Sequence, residues 1–263
     1  MSRERVHDLV CDDVGDPGGA PVLYFHGGGD SRLTRHPDDS IAAELGIRLV
    51  CVERSRLVDR RRTLLSWARS VGALADRHGI GSFSVLGWSA GGPHAVAVAA
   101  ALPERVTRAA VVAGMPPPDG LGAMPLDTRQ AIRLARVSPR LAARPLARWG
   151  RRPVAPTGDP DCDRAYAAGR AESFRDGALW LALELALLSR PWGFELAEVR
   201  VPVTLWYGER DRVTPVSIGR DFERVLPDAT LHVVDDGHQL LFSRWREILA
   251  DLVRAEPAEN ELP

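Results

Sequence analysis

A chain of 263 residues with 45% hydrophobic content can bury a sizeable core as one large α/β domain, and is too short for two unrelated domains of ordinary size. Its formal net charge of −1, from 34 basic and 35 acidic residues, sets up no overall field for nucleic acid or an anionic membrane, so a small molecule is the expected partner. The start, Met1-Ser2-Arg3-Glu4-Arg5, has no apolar core of signal-peptide length, and the most apolar run, Leu179 to Leu188, is too short for a bilayer and contains Glu184; a cytoplasmic monomer or homodimer is expected. All 34 basic residues are arginine, which together with the alanine excess reads as a coding bias. Cys11, Cys51 and Cys162 are odd in number and widely spaced, giving neither a disulfide framework nor a metal pattern.

In chain order, Val6 to Asp12 has a strand pattern, Asp16-Pro17-Gly18-Gly19 a turn pattern, and Pro21 to Phe25 the apolar run of a central strand that ends in His26-Gly27-Gly28-Gly29. Ile41 to Leu45 suggests a helix and Ile47 to Val52 the next strand, closing at Glu53-Arg54. From Thr63 to His78, Leu64, Leu65, Ala68, Val71, Leu74 and Ala75 fall near helical spacing and predict an amphipathic helix. The triplet Arg60-Arg61-Arg62 in front of it reads as a solvated basic face.

Phe83-Ser84-Val85-Leu86-Gly87-Trp88-Ser89-Ala90-Gly91-Gly92-Pro93-His94 is the most informative stretch: an apolar strand pattern breaks at a serine between glycines and restarts as a helix of small residues, Ala95 to Ala101. That is the pattern of a nucleophile elbow. Small residues two positions before and after the serine are needed where strand and helix backbones converge, and Gly87 and Gly91 meet that need. Such a turn exposes the Ser89 hydroxyl at a helix N-terminus, where backbone N–H groups stabilise developing negative charge.

Thr107 to Gly114 gives a further strand, and Met115-Pro116-Pro117-Pro118-Asp119-Gly120 interrupts the rhythm. The sequence to about Arg200 is helical in pattern throughout, over Asp127 to Val137, Pro139 to Trp149, Asp161 to Phe174 and Gly177 to Leu188. Trp180, Trp192 and Phe174 in it read first as packing, with Trp180 also a candidate pocket residue alongside Trp88 and Gly29. Val203 to Asp211 resumes the sheet, Gly219 to Leu226 is helical, Ala229 to Val234 is the last strand and Leu240 to Val253 the closing helix. Strands alternating with helices predict a mainly parallel central sheet covered by helices on both faces.

With the Gly-Trp-Ser-Ala-Gly-Gly-Pro elbow at residues 87–93, the chain resembles the α/β-hydrolase family, over nearly its whole length. The resemblance implies the α/β-hydrolase fold, with residues 1–115 and 201–263 forming the core and 116–200 an inserted helical cap. It also implies the order serine, acid, histidine. Asp211, three residues after Gly208, and His238, after the final strand, match the family's acid and histidine positions; Glu209 is the competitor for the acid role. Gly28 matches the position that supplies the second oxyanion N–H, with the Ala90 N–H as the first and Gly29 a neighbour able to share the task; His26 is expected to support that loop. Relatives continue Glu-Arg-Pro-Gly-aromatic-Gly where this chain has Ser55 to Asp59 after Arg54, which predicts a different loop path; Arg54, Arg56 and Arg60 to Arg62 would form a positive rim there if they face the pocket, or a solvated cluster if they do not.

The chemistry implied is that of a serine hydrolase with a Ser89–Asp211–His238 triad, acting through an acyl-enzyme on a carboxylic ester or lactone. Amide, thioester and carbon–carbon bond hydrolysis, lyase and acyl-transfer reactions use the same triad, and a ligand-binding protein with little turnover is the alternative from another class. No cofactor or metal is implied: His7, His36, His78, His94 and His232 form no ligand spacing with cysteines or carboxylates, and Gly27-Gly28-Gly29 lacks the ending of a phosphate loop.

Overall fold

A computed structural model describes residues 9–54 and 61–254. Seven strands, β1 (Cys11–Gly15), β2 (Ala20–Phe25), β3 (Ile47–Val52), β4 (Phe83–Trp88), β5 (Val106–Val112), β6 (Val203–Gly208) and β7 (Ala229–Val234), form one sheet in the order β1-β3-β2-β4-β5-β6-β7. Only β1 runs antiparallel, against β3; every other pairing is parallel. The opening strand begins at Cys11, so most of the stretch expected from Val6 to Asp12 lies outside the strand, and residues 6–8 lie outside the described residues.

The inner strands β2 to β6 are apolar on both faces because helices cover both. Leu23, Phe25, Val52, Val85, Val111 and Tyr207 belong to one buried cluster and Val22, Tyr24, Cys51, Leu86, Val112 and Trp206 to the other, as the two-residue period of a strand requires. Helices α2 (Leu64–Arg77) and α3 (Gly92–Ala101) cover the first face, whereas α1 (Ser40–Glu44) lies on the second. Helix α2 starts where its sequence dictates: the Thr63 side chain accepts from Ser66 N at 3.0 Å and Ser66 Oγ accepts from Thr63 N at 2.9 Å, a capping box. It then buries Trp67 edge-on to Phe25, a contact of the kind that contributes about 2–3 kcal/mol per fully buried aromatic.

Between β5 and β6 stand α4 (Leu126–Val137), α5 (Pro139–Gly150), α6 (Pro160–Phe174) and α7 (Leu179–Leu188), with no strand among them. Ser138 ends α4 and caps α5, with Pro139 at the first helical position, so the two helices form a hairpin with a one-residue joint. Their inner residues, Ile132, Ala135, Ala142 and Leu146, join the first core cluster with α7. Helix α6 sends Cys162 and Tyr166 into the second. After β6 come α8 (Val216–Val225), β7, α9 (Leu240–Ser243) and α10 (Trp245–Leu252); the expected single closing helix is broken at Arg244. No helix among the described residues is long and apolar enough to cross a membrane.

Candidate active site

Ser89 follows β4 directly and opens the turn Ser89–Gly91 that leads into α3, with φ of 53°, one of two non-glycine residues in the left-handed region among the described residues. That conformation costs about 1–3 kcal/mol and persists because its surroundings leave no alternative. A Cβ on Gly87 would stand 2.3 Å from Gly91 O, and one on Gly91 2.1 Å from Phe25 O, so the backbones of β2, β4 and the turn touch at these two glycines. Nothing larger than glycine fits either position.

The chain brings Asp211, after β6, and His238, after β7, to the same end of the sheet. His238 Nε2 lies 3.1 Å from Ser89 Oγ and His238 Nδ1 2.8 Å from Asp211 Oδ2. With the Nδ1 proton donated to the carboxylate, the Nε2 lone pair faces the serine hydroxyl. Asp211 is 5% exposed and its Oδ1 accepts from Val213 N at 2.7 Å and Thr214 N at 3.0 Å; the Thr214 hydroxyl stands 2.8 Å from Oδ2. Burial by itself raises this carboxyl, but the hydrogen bond and charge of His238 and the Thr214 contacts outweigh it and hold Asp211 below the usual carboxylate range. Glu209, by contrast, is exposed.

Gly28 and Ala90 adjoin: a Cβ on Gly28 would stand 3.2 Å from Ala90 Cβ and 3.6 Å from Leu181 of α7. Gly29 has φ of 83°, and a Cβ there would stand 2.5 Å from the Trp149 ring of α5. Helices α5 and α7 therefore lie directly over the glycine loop. Trp88 and Trp180 are both held by a hydrogen bond from the indole N–H. Trp88 is 1% exposed, packs against His238 at 5.6 Å between ring centroids and donates Nε1–H to His238 O at 3.1 Å. Trp180 is 5% exposed and donates to Ser173 O at 3.0 Å, with its ring edge-on to His26. Both rings are buried, and Trp149 and Leu181, which the sequence did not single out, are the side chains that stand over Gly29 and Gly28.

Beneath the loop lies a buried ionic cluster. Arg54, fully buried, donates to the His26 carbonyl, to Gly27 O at 3.3 Å and to Glu184 Oε1, the single charge in the apolar α7. Arg62, 7% exposed, approaches the same Glu184 oxygen at 3.6 Å and donates to His94 Nε2 at 3.1 Å. Neither belongs to a solvated face or a positive rim, which corrects both expectations for Arg54 and Arg62; a charge inside the chain's most apolar segment was the signal that buried arginines had to come to it. Arg61 is exposed, while Arg56, Arg60 and the whole Ser55–Asp59 stretch lie outside the described residues. His26 completes the support: Nδ1 donates to Gly27 O at 2.9 Å and Nε2 accepts from Arg54 N at 3.0 Å.

A second buried pair flanks the site on the α6 side. Asp30, 2% exposed, has Oδ1 3.5 Å from Arg170 Nε, and Arg170 stacks on Trp149 at 4.2 Å and donates to Tyr166 OH at 3.1 Å. Burial pushes the Asp30 carboxyl up, against the opposing pull of Arg170, His26 and His238. Asp30 and Arg170 were not read from the sequence, since each finds its partner on a separate element, and neither was Thr214, whose hydroxyl also reaches Ala113 O at 3.0 Å. Among the described residues no three of His, Cys, Asp and Glu are grouped to hold a metal ion.

His94 makes a pH prediction. Its Nδ1 donates to Ala90 O at 3.0 Å, and burial, then Arg54 and Arg62, push its pKa well below 6.5. A histidine depressed by folding binds more protons when unfolded, so stability is lost as pH falls below about 6.5, by at most roughly 1.4 kcal/mol per pH unit. Chemical denaturation between pH 7.5 and about 5 is expected to show a shallower pH slope in His94→Gln than in wild type; parallel slopes would refute the assignment.

The family model for the alpha/beta hydrolase fold matches residues 20–244, and the chain belongs to that family. Among solved structures it is similar to the esterase RhEst1 from Rhodococcus sp. ECU1013, at 22% identity and a TM-score of 0.66 over 93% of this chain and 95% of that one. A thermophilic esterase from Thermogutta terrifontis gives 20% identity and 0.70 over 93% and 91%. The enol-lactonase from Burkholderia xenovorans LB400 gives 16% and 0.71 over 93% and 94%. At these identities the likeness is one of fold. No curated protein matches the chain.

Proposed function

We propose that the protein is a serine hydrolase that cleaves a small carboxylic ester or lactone through an acyl-enzyme on Ser89. The observation that carries this reading is the hydrogen-bonded series Ser89 Oγ, His238 Nε2, His238 Nδ1, Asp211 Oδ2, at 3.1 and 2.8 Å, with the serine held in the left-handed turn. Ser89 Oγ attacks the acyl carbon as His238 Nε2 takes its proton; the Gly28 and Ala90 N–H groups receive the oxyanion, and His238 returns the proton to the leaving alkoxide. Water, deprotonated by the same imidazole, then releases the acid. Asp211 stays ionised, fixes the Nδ1–H tautomer and stabilises the imidazolium, a role its lowered pKa suits. Helices α4 to α7 serve as a cap, with Trp149 and Leu181 restricting the acyl side.

The esterase and lactonase among its structural likenesses favour oxygen esters as the first substrates to try. The test is an alkyl fluorophosphonate followed by intact-mass and peptide analysis. One adduct at Ser89 is expected, absent from Ser89→Ala; a folded wild-type protein that stays unlabelled overturns the proposal.

A further inference from the structure

The near-zero net charge conceals one strongly basic surface. From Leu126 to Arg152 the sequence holds eight arginines and a single acid, Asp127, and no further acid occurs before Asp159. Among the described residues none of the eight forms an ion pair. Elsewhere several exposed arginines do, Arg210 with Asp235, Arg224 with Asp221 and Arg246 with Glu44, and those that do not, such as Arg190, Arg200, Arg212 and Arg220, are not gathered on one helical hairpin. A coding bias toward arginine explains their number and not this segregation.

Exposed apolar side chains concentrate on the same hairpin. Val137 is 85% exposed, Leu126 and Leu141 57% and Leu134 38%, four of the nine large hydrophobic residues that stand out in solvent among the described residues. Helical spacing puts Leu126, Arg133 and Val137 on the α4 face opposite buried Ile132 and Ala135, and Arg140, Leu141, Arg144 and Arg148 on the α5 face opposite buried Ala142 and Leu146. Both inner faces pack toward α7, so both outer faces turn away from it together.

We propose that the outer face of the α4–α5 hairpin docks on an anionic lipid bilayer. Guanidinium groups pair with lipid phosphates and carboxylates while leucine and valine enter the acyl boundary between them, the two contacts that an interfacial amphipathic surface combines. Nucleic acid has use for the arginines but none for four exposed aliphatic side chains, and an acidic protein segment would leave most of the arginines uncompensated. The remainder of the chain carries the balancing negative charge, so the molecule would approach such a surface hairpin first. The inference stands apart from the reaction at Ser89.

The test is flotation with vesicles of phosphatidylcholine alone and of phosphatidylcholine with phosphatidylglycerol, at low and high salt. Binding is expected only to the anionic vesicles and is expected to fade with salt. Arg140→Gln, Arg144→Gln and Arg148→Gln together should lower the partition coefficient roughly five-fold per arginine, on the order of a hundredfold for the three. Val137→Ser with Leu141→Ser should weaken vesicle binding several-fold while leaving retention on heparin unchanged, which separates a bilayer from a soluble polyanion. All five positions are exposed, and circular dichroism with hydrolysis of a soluble ester checks that each variant is folded. No flotation of folded wild type at low salt, or binding insensitive to the Val137 and Leu141 changes, overturns the proposal.

Discussion

Ser89→Ala is expected to lower kcat for an activated ester by up to about 10⁶, leaving a protein with an unchanged melting temperature and residual catalysis from the Gly28 and Ala90 N–H groups. His238→Ala should cost about as much, because a serine without its base attacks no faster than the site without a serine. The double variant should then be no worse than either single one, since the two side chains perform one proton transfer. Asp211→Asn should lose roughly 10⁴: the amide can offer its N–H to His238 Nδ1, which selects the tautomer that has no lone pair toward Ser89. Steady-state hydrolysis by the four proteins checks all of this. Ser89→Ala activity within tenfold of wild type, or losses in Ser89→Ala and His238→Ala that multiply in the double variant, would show that the two do not act as a unit.

The sequence was legible where a local pattern has a single physical solution. Gly87 and Gly91 bracket a serine because any side chain there would collide with Gly91 O or Phe25 O, so that spacing announces the turn without knowledge of the fold. The strands β2 to β6 announce themselves by apolar runs, because helices bury both their faces. What escaped depended on partners distant in sequence. Arg54 and Arg62 look like the start of a solvated basic stretch until Glu184, 130 residues beyond Arg54, is placed beside them. Thr214 looks like an ordinary residue after a turn until its hydroxyl is found between Asp211 Oδ2 and the carbonyl of Ala113, 101 residues earlier. The placement of Trp88 and Trp180 was hidden for a related reason: a buried indole packs where its N–H finds an acceptor, here His238 O and Ser173 O.

Glu184→Leu is expected to cost about 3–5 kcal/mol, because it leaves the fully buried Arg54 with no carboxylate and removes the one that Arg62 approaches. For a chain of this size that corresponds to a fall in melting temperature on the order of 10 °C. The side chain is 3% exposed, and leucine extends the apolar face of α7, so lost helix propensity or lost burial is no competing explanation. Adding Arg54→Met should restore part of the stability, since Arg54 is then no longer a buried charge without its carboxylate, while Arg62 still lacks Glu184 and the His26 and Gly27 carbonyls lose a donor. Activity should not return with it. Arg54 also donates to the carbonyls of His26 and Gly27, immediately before the Gly28 N–H, and methionine cannot hold that loop. The double variant is therefore expected to melt between Glu184→Leu and wild type yet retain a lowered kcat with KM little changed, the signature of oxyanion N–H groups displaced from where charge develops. A Glu184→Leu protein that melts within about 2 °C of wild type would mean the two arginines need no buried carboxylate, and full recovery of kcat in the double variant would mean that Arg54 does not position the glycine loop.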